Sequence, residues 1–100
     1  MIIVAGTFRV PADKIQALQP HAKAVIAATR QEAGCTTYSF AHDVMDSGLV
    51  RIFEIWETRE HLDRHLKAPH MMPWRAALAE LGASGRDIKI YRVEGEGEPV

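Results

Sequence analysis

Glu54, Trp56, His65, His70, Trp74 and Tyr38 are the residues of this chain whose types and spacing best suit chemistry. An imidazole titrates near neutrality, so a histidine held in an apolar recess can take up a proton and return it. Glu54 falls on the same strand face as Ile52 and Trp56, and an ionised acid on such a face needs a partner. We expect that partner to be His65. A buried Glu54 would orient the ring through its N–H and raise its basicity. The plainer reading is a structural Glu–His pair that ties a helix to the sheet, and the two are compatible. His70 follows Pro69 beside Met71 and Met72. At such a break a side chain can face a cavity without surrendering a helical core position. With no partner evident in the sequence, His70 is the expected proton acceptor, with His65 as an alternative or supporting base and Glu54 as its carboxylate. Trp56, Trp74, Tyr38, Met71 and Phe40 are expected to line the pocket, where they would hold a flat ring and exclude water.

Other chemistries are disfavoured. HLDRH at 61–65 places two histidines four apart on one helix face, but it lacks the Glu of a zinc-protease helix and an inner third ligand, so no metal is expected. Cys35 has no CxxC partner and reads as a small core hydrophobe. There is no glycine-rich phosphate loop and no dinucleotide fingerprint. The absence of Asn removes every mechanism that needs one.

The elements that must position these residues follow from periodicity. Residues 2–10 read as a strand with both faces largely covered. Gly6 within it either leaves room for an approach to the backbone or marks tight packing against a helix. Residues 12–33 read as a helix with Ile15, Leu18, Ala22, Val25, Ile26 and Thr29 on one stripe. Pro20 either kinks it or starts a second helix, and Gly34 stops it. Two strands, 35–43 and 49–57, flank the turn Asp46-Ser47-Gly48 and should form a hairpin. Thr58 can cap a helix over 59–67 in which His65 borders the Leu62–Leu66 stripe. Pro73 can start a further helix with Trp74, Ala77, Leu78 and Leu81 buried, and 86–93 is the last strand. The order is strand, helix, strand, strand, broken helix, strand. This is the split βαβ, ferredoxin-like α+β arrangement, with helices on one face of an antiparallel sheet. The domain is expected over 1–93, with 94–100 an acidic tail.

At 100 residues the chain is sized for one domain. Burial contributes roughly 150 kcal/mol and ordering costs about as much, so a partner subunit has reason to extend the core. The unfilled sheet face is also apolar, and a homodimer is expected. The formal net charge of −1 and the lack of any basic run disfavour nucleic acid or an anionic membrane as partner. The apolar stretch Met1–Ala5 is too short for a leader or a span, and the cytoplasm is the expected compartment.

The segment FEIWETREHLDRHLKAPHM, residues 53–71, resembles the signature of the antibiotic biosynthesis monooxygenase family, which includes quinol monooxygenases of the YgiN type. The pattern is an E-x-W strand end, a short helix ending in His, and a second His after a few residues. Glu54, Trp56, His65 and His70 meet it, and Gly34, Cys35 and Tyr38 resemble the family's second strand. The likeness extends over about residues 1–93. It implies a ferredoxin-like subunit that dimerises into an α/β barrel. It further implies oxidation of a small aromatic quinol or phenol by dioxygen without a cofactor, with His near neutral pKa as the base. The family's haem-degrading branch uses an Asn on the first strand, where this chain offers Gly6 and Thr7, so haem is not implied. Two alternatives remain open: a non-catalytic dimeric small-ligand-binding or stress protein, and an isomerase in which His and Glu shuttle protons.

Overall fold

The computed structural model describes all of residues 1–100. Strand β1 (Ile2–Arg9) leads through a 3-10 turn (Ala12–Lys14) into helix α1 (Ile15–Thr29). Strands β2 (Cys35–His42) and β3 (Leu49–Trp56) follow, then helices α2 (Arg59–Leu66) and α3 (Met71–Glu80), and strand β4 (Ser84–Arg92). The sheet order is β2-β3-β1-β4, with every neighbouring pair antiparallel. This is the ferredoxin-like fold.

Alternation decides which residues enter the core. Ile2, Val4 and Phe8 of β1 pair across from Trp56, Glu54 and Val50 of β3, and this set is buried beneath the helices. Leu18 and Val25 of α1, Leu62 of α2, and Met71 and Trp74 of α3 close over it. The register runs one row across the whole sheet: Tyr38, Glu54, Val4 and Ile90 stand side by side on β2, β3, β1 and β4. An ionisable side chain, Glu54, thus occupies the middle of the sheet's covered face. The bulge between Cys35 and Thr37 leaves Thr36 exposed while Tyr38 keeps its inward phase.

Several expectations are corrected by the packing. Helix α1 runs through Pro20 as one helix, so Pro20 does not start a second one; Pro20 and Gln16 are both exposed and the carbonyl left without a donor can meet water. That helix ends at Thr29, so residues 30–34 form a turn rather than a last helical turn. Helix α3 begins at Met71, two residues before Pro73; a proline in the first turn has no hydrogen bond to lose. Gly6 is crowded by a strand and not by a helix: a Cβ there would overlap the Asp87 carbonyl of β4. Thr58 does cap α2, accepting a hydrogen bond from the His61 amide at 3.2 Å.

Candidate active site

A cavity of about 360 Å³ opens between the sheet and helices α2 and α3. Tyr38, Phe40, Glu54, His65, Met71 and Trp74 line it, together with further aliphatic side chains and Arg86. Six of the eight residues singled out from the sequence therefore meet at one wall. Trp56 and His70 do not line it. Trp56 has no exposed surface and lies behind the wall, while His70 stands at the far side of His65, its ring centroid 6.1 Å away.

The Glu54–His65 hydrogen bond expected from the sequence is not made. Glu54 Oε1 instead accepts from the Trp56 indole N–H at 2.9 Å, a pairing available because residues two apart on a strand share a face. His65 Nδ1 lies 2.6 Å from Glu32 Oε2, and His70 Nε2 lies 3.0 Å from the same oxygen. An ionised carboxylate can only accept, so both ring nitrogens carry the proton and donate. His70 is thus not free of partners, as its sequence context suggested. Glu32, in the turn after α1, has no local sequence feature that marks it; from the sequence alone Glu54 is the acid in need of a partner, and so it is paired with His65.

His65 is 1% exposed whereas Leu66 is 38% exposed, so the buried stripe of α2 runs through Leu62 and His65 and leaves Leu66 at its margin. Aromatic packing explains the preference. The ring lies 4.8 Å from that of Trp56 and 5.3 Å, edge to face, from that of Tyr38, and Glu32 satisfies its polar edge. No hydrogen bond is made at His65 Nε2 or Glu54 Oε2. Both residues line the cavity. Burial holds the His65 imidazole below its ordinary pKa, against the opposing pull of Glu32. With Nδ1 donating to Glu32, the neutral form of the ring carries its lone pair on Nε2. Burial pushes the Glu54 carboxyl up to about 7, partly offset by the Trp56 hydrogen bond and by Arg86. Burial likewise raises Tyr38, which stays a phenol, and raises Cys35, whose partly buried thiol packs against the core.

A cavity with a carboxylate-held histidine and a second, protonatable acid can move protons at a bound ring. The sequence profile of the antibiotic biosynthesis monooxygenase family matches residues 1–77. The chain belongs to that family. A Synechocystis protein without an assigned function is 33% identical over 92 residues. That match covers 92% of this chain and 63% of the relative, so the chain spans less than two thirds of that protein's length. Mycobacterium tuberculosis Rv0793, provisionally named a monooxygenase, is 34% identical over 80 residues, or 80% of this chain and 78% of Rv0793. Among solved structures, a Deinococcus radiodurans protein provisionally named an antibiotic biosynthesis monooxygenase superposes with a TM-score of 0.91 at 29% identity. That superposition covers 100% of this chain and 98% of the other. The structure of Rv0793 gives a TM-score of 0.77 at 29% identity, over 99% and 98% of the two chains. Of these relatives, the Mycobacterium tuberculosis and Deinococcus radiodurans proteins carry a monooxygenase name.

Proposed function

We propose that the protein is a cofactor-independent monooxygenase that oxidises a small phenol or quinol with dioxygen, using His65 as base. The observation that carries this reading is the Glu32–His65 pair, with the free Nε2 on a mostly apolar cavity. A phenol becomes electron-rich enough to react with dioxygen once its proton is gone, and in this reading Nε2 takes that proton. Glu32 holds the ring in the required tautomer and stabilises the imidazolium that forms. Phenol plus dioxygen gives quinone plus water. The ring supplies all four electrons, one oxygen atom enters it, and the other departs as water, so no external reductant is needed. Glu54, protonated at and below about pH 7, is suited to give a proton to the departing oxygen. The cavity volume of about 360 Å³ lies at the small end for ligand pockets and suits one or two rings. His70, bound to Glu32 away from the cavity, serves as a support for that carboxylate and not as the base.

The test is oxygen uptake by metal-free protein with a panel of one- and two-ring phenols and quinols. We expect turnover that falls about 10²–10⁴-fold in His65→Ala and by about 10² or more in Glu32→Gln, which keeps the acceptor but loses the charge. His70→Ala should retain most of the rate. Uptake no faster than uncatalysed autoxidation across the panel overturns the reading. Proton exchange at substrate carbon without oxygen uptake would replace it with an isomerase.

A further inference from the structure

Glu32, His65 and His70 come from three separate segments: the turn after α1, the last turn of α2, and the link between α2 and α3. One carboxylate oxygen and two imidazole nitrogens from these segments all lie within 4.8 Å of one another. Nothing in the sequence spacing requires this convergence. His61, the other member of the HLDRH pair, takes no part, because its Nδ1 is bound to the Thr58 hydroxyl at 2.8 Å. We propose that Glu32 Oε2, His65 Nδ1 and His70 Nε2 form a binding site for one divalent transition-metal ion of the Zn2+ or Co2+ class, with solvent as fourth ligand.

The donor set is that of a three-ligand zinc site with an open position. Bonds of about 2.0–2.2 Å in a tetrahedron put ligand atoms roughly 3.3–3.6 Å apart. The Glu32–His70 separation of 3.0 Å and the Glu32–His65 separation of 2.6 Å therefore need to open by an ångström or less. The side chains able to move are those on links, Glu32 and His70, while His65 is gripped between Tyr38 and Trp56. The open position has a route outward, since the His70 side chain keeps 25% of its surface exposed and Glu32 17%. One carboxylate and two neutral rings leave a net charge of +1 on the loaded site, a modest burden for a half-buried location. Arg75, a cation whose charge acts on His65, has its guanidinium committed to the Leu66 carbonyl.

Loading has a chemical consequence inside the cavity. Metal on Nδ1 of His65 forces that ring's proton onto Nε2, so the atom facing the cavity changes from acceptor to donor. The metal-free and loaded proteins thus differ in the one lone pair the proposed oxygenation uses, and Zn2+ is expected to silence that reaction. This last consequence rests on the functional reading above; the site itself does not.

The experiment uses tag-free, metal-free full chain titrated with Co2+ followed by Zn2+, read by visible ligand-field absorption and by calorimetry. We expect one ion per chain, tetrahedral Co2+ bands that Zn2+ abolishes, and affinity weakened about 100-fold or more in His70→Ala, since even supporting partners of metal ligands contribute 10–100-fold. Glu32→Gln, which preserves an acceptor for both rings and so protects folding, should weaken binding as strongly. His61→Ala should bind as the unaltered chain does. Absence of stoichiometric binding of either ion overturns the proposal, as does unchanged affinity in His70→Ala or in Glu32→Gln. None of these readouts depends on oxygen uptake, so failure of the oxygenase reading would leave the metal result standing, and the converse holds.

Discussion

Glu54 sets the energetics of the candidate site at the scale of single residues. Its carboxyl is 5% exposed and has one hydrogen bond, from Trp56, so the folded protein prefers it protonated. Its pKa stands at about 7 in the fold against 4.5 as the reference value. Between these values the folded state binds more protons than the unfolded state. The stabilising contribution is therefore complete below about pH 4.5 and is lost as pH rises through about 7. Between pH 5 and pH 8 the protein should lose about 2–3 kcal/mol of stability on this account. Glu54→Gln keeps an acceptor for the indole and cannot ionise. Urea unfolding at fixed protein concentration should show that this variant lacks the loss and is the more stable form at pH 8. Equal pH slopes for the two proteins would refute the assignment. The same substitution leaves Glu32 and His65 untouched, so its effect on activity isolates the proton-donating role from that of the base.

At the scale of elements, the turn that carries Glu32 is held from both sides. Gly34 has a φ of +79° and receives the Glu57 amide on its carbonyl at 2.9 Å, which fastens the turn to the end of β3. A Cβ at position 34 would run into the His61 ring, itself anchored to the cap residue Thr58. The turn, the cap and the start of α2 are thus one packed unit, and it fixes Glu32 opposite His65. Gly34→Ala should destabilise the protein by about 1–2 kcal/mol from the left-handed backbone alone, plus a packing contribution from the ring. In a His61→Ala background only the backbone part should remain, so chemical unfolding of the double-mutant cycle should show a coupling of about 0.5 kcal/mol or more. Strict additivity would mean that the ring simply swings away. Thr58→Ala removes the cap and should cost about 1 kcal/mol, a second check by the same measurement that α2 depends on its first turn.

The whole molecule is a two-layer slab of 40 × 33 × 19 Å with helices on one side only. Its surface of 6583 Å² is about 15% above what the size scaling gives for a compact monomer of this mass. On the sheet face away from the helices, Ile3 pairs across from Ile55 and Tyr91, and Ala5 from Phe53. Phe53 and Tyr91 remain 41% and 49% exposed there. An apolar face of this kind is best covered by a second copy. We expect a homodimer that buries well above 1,000 Å² and closes two sheets back to back. Phe53→Glu together with Tyr91→Lys should shift sedimentation toward the monomer mass of 11.2 kDa. Sedimentation of the unaltered chain at that mass at micromolar concentration would refute the dimer. No helix is long and apolar enough to cross a membrane.

What the sequence determines by itself is whatever depends on local order. Alternation in IIVAGTFRV and LVRIFEIW, the breaks at Gly34 and Asp46-Ser47-Gly48, and the Thr58 cap place the elements to within a few residues. Their order then allows few ways to bury one face of each. The same local phase puts Tyr38, Phe40 and Glu54 on the covered face and His65 on the inner side of α2. Tertiary structure alone decided who partners whom. Glu54 turned to the indole two residues along its own strand, and His65 and His70 both turned to Glu32, more than thirty residues earlier. A hydrogen bond is chosen by distance and direction between side-chain atoms, and those are fixed only when the turn after α1 folds back over the end of α2. Periodicity reports which face a residue occupies; it carries no information on which acid from a distant turn will arrive there.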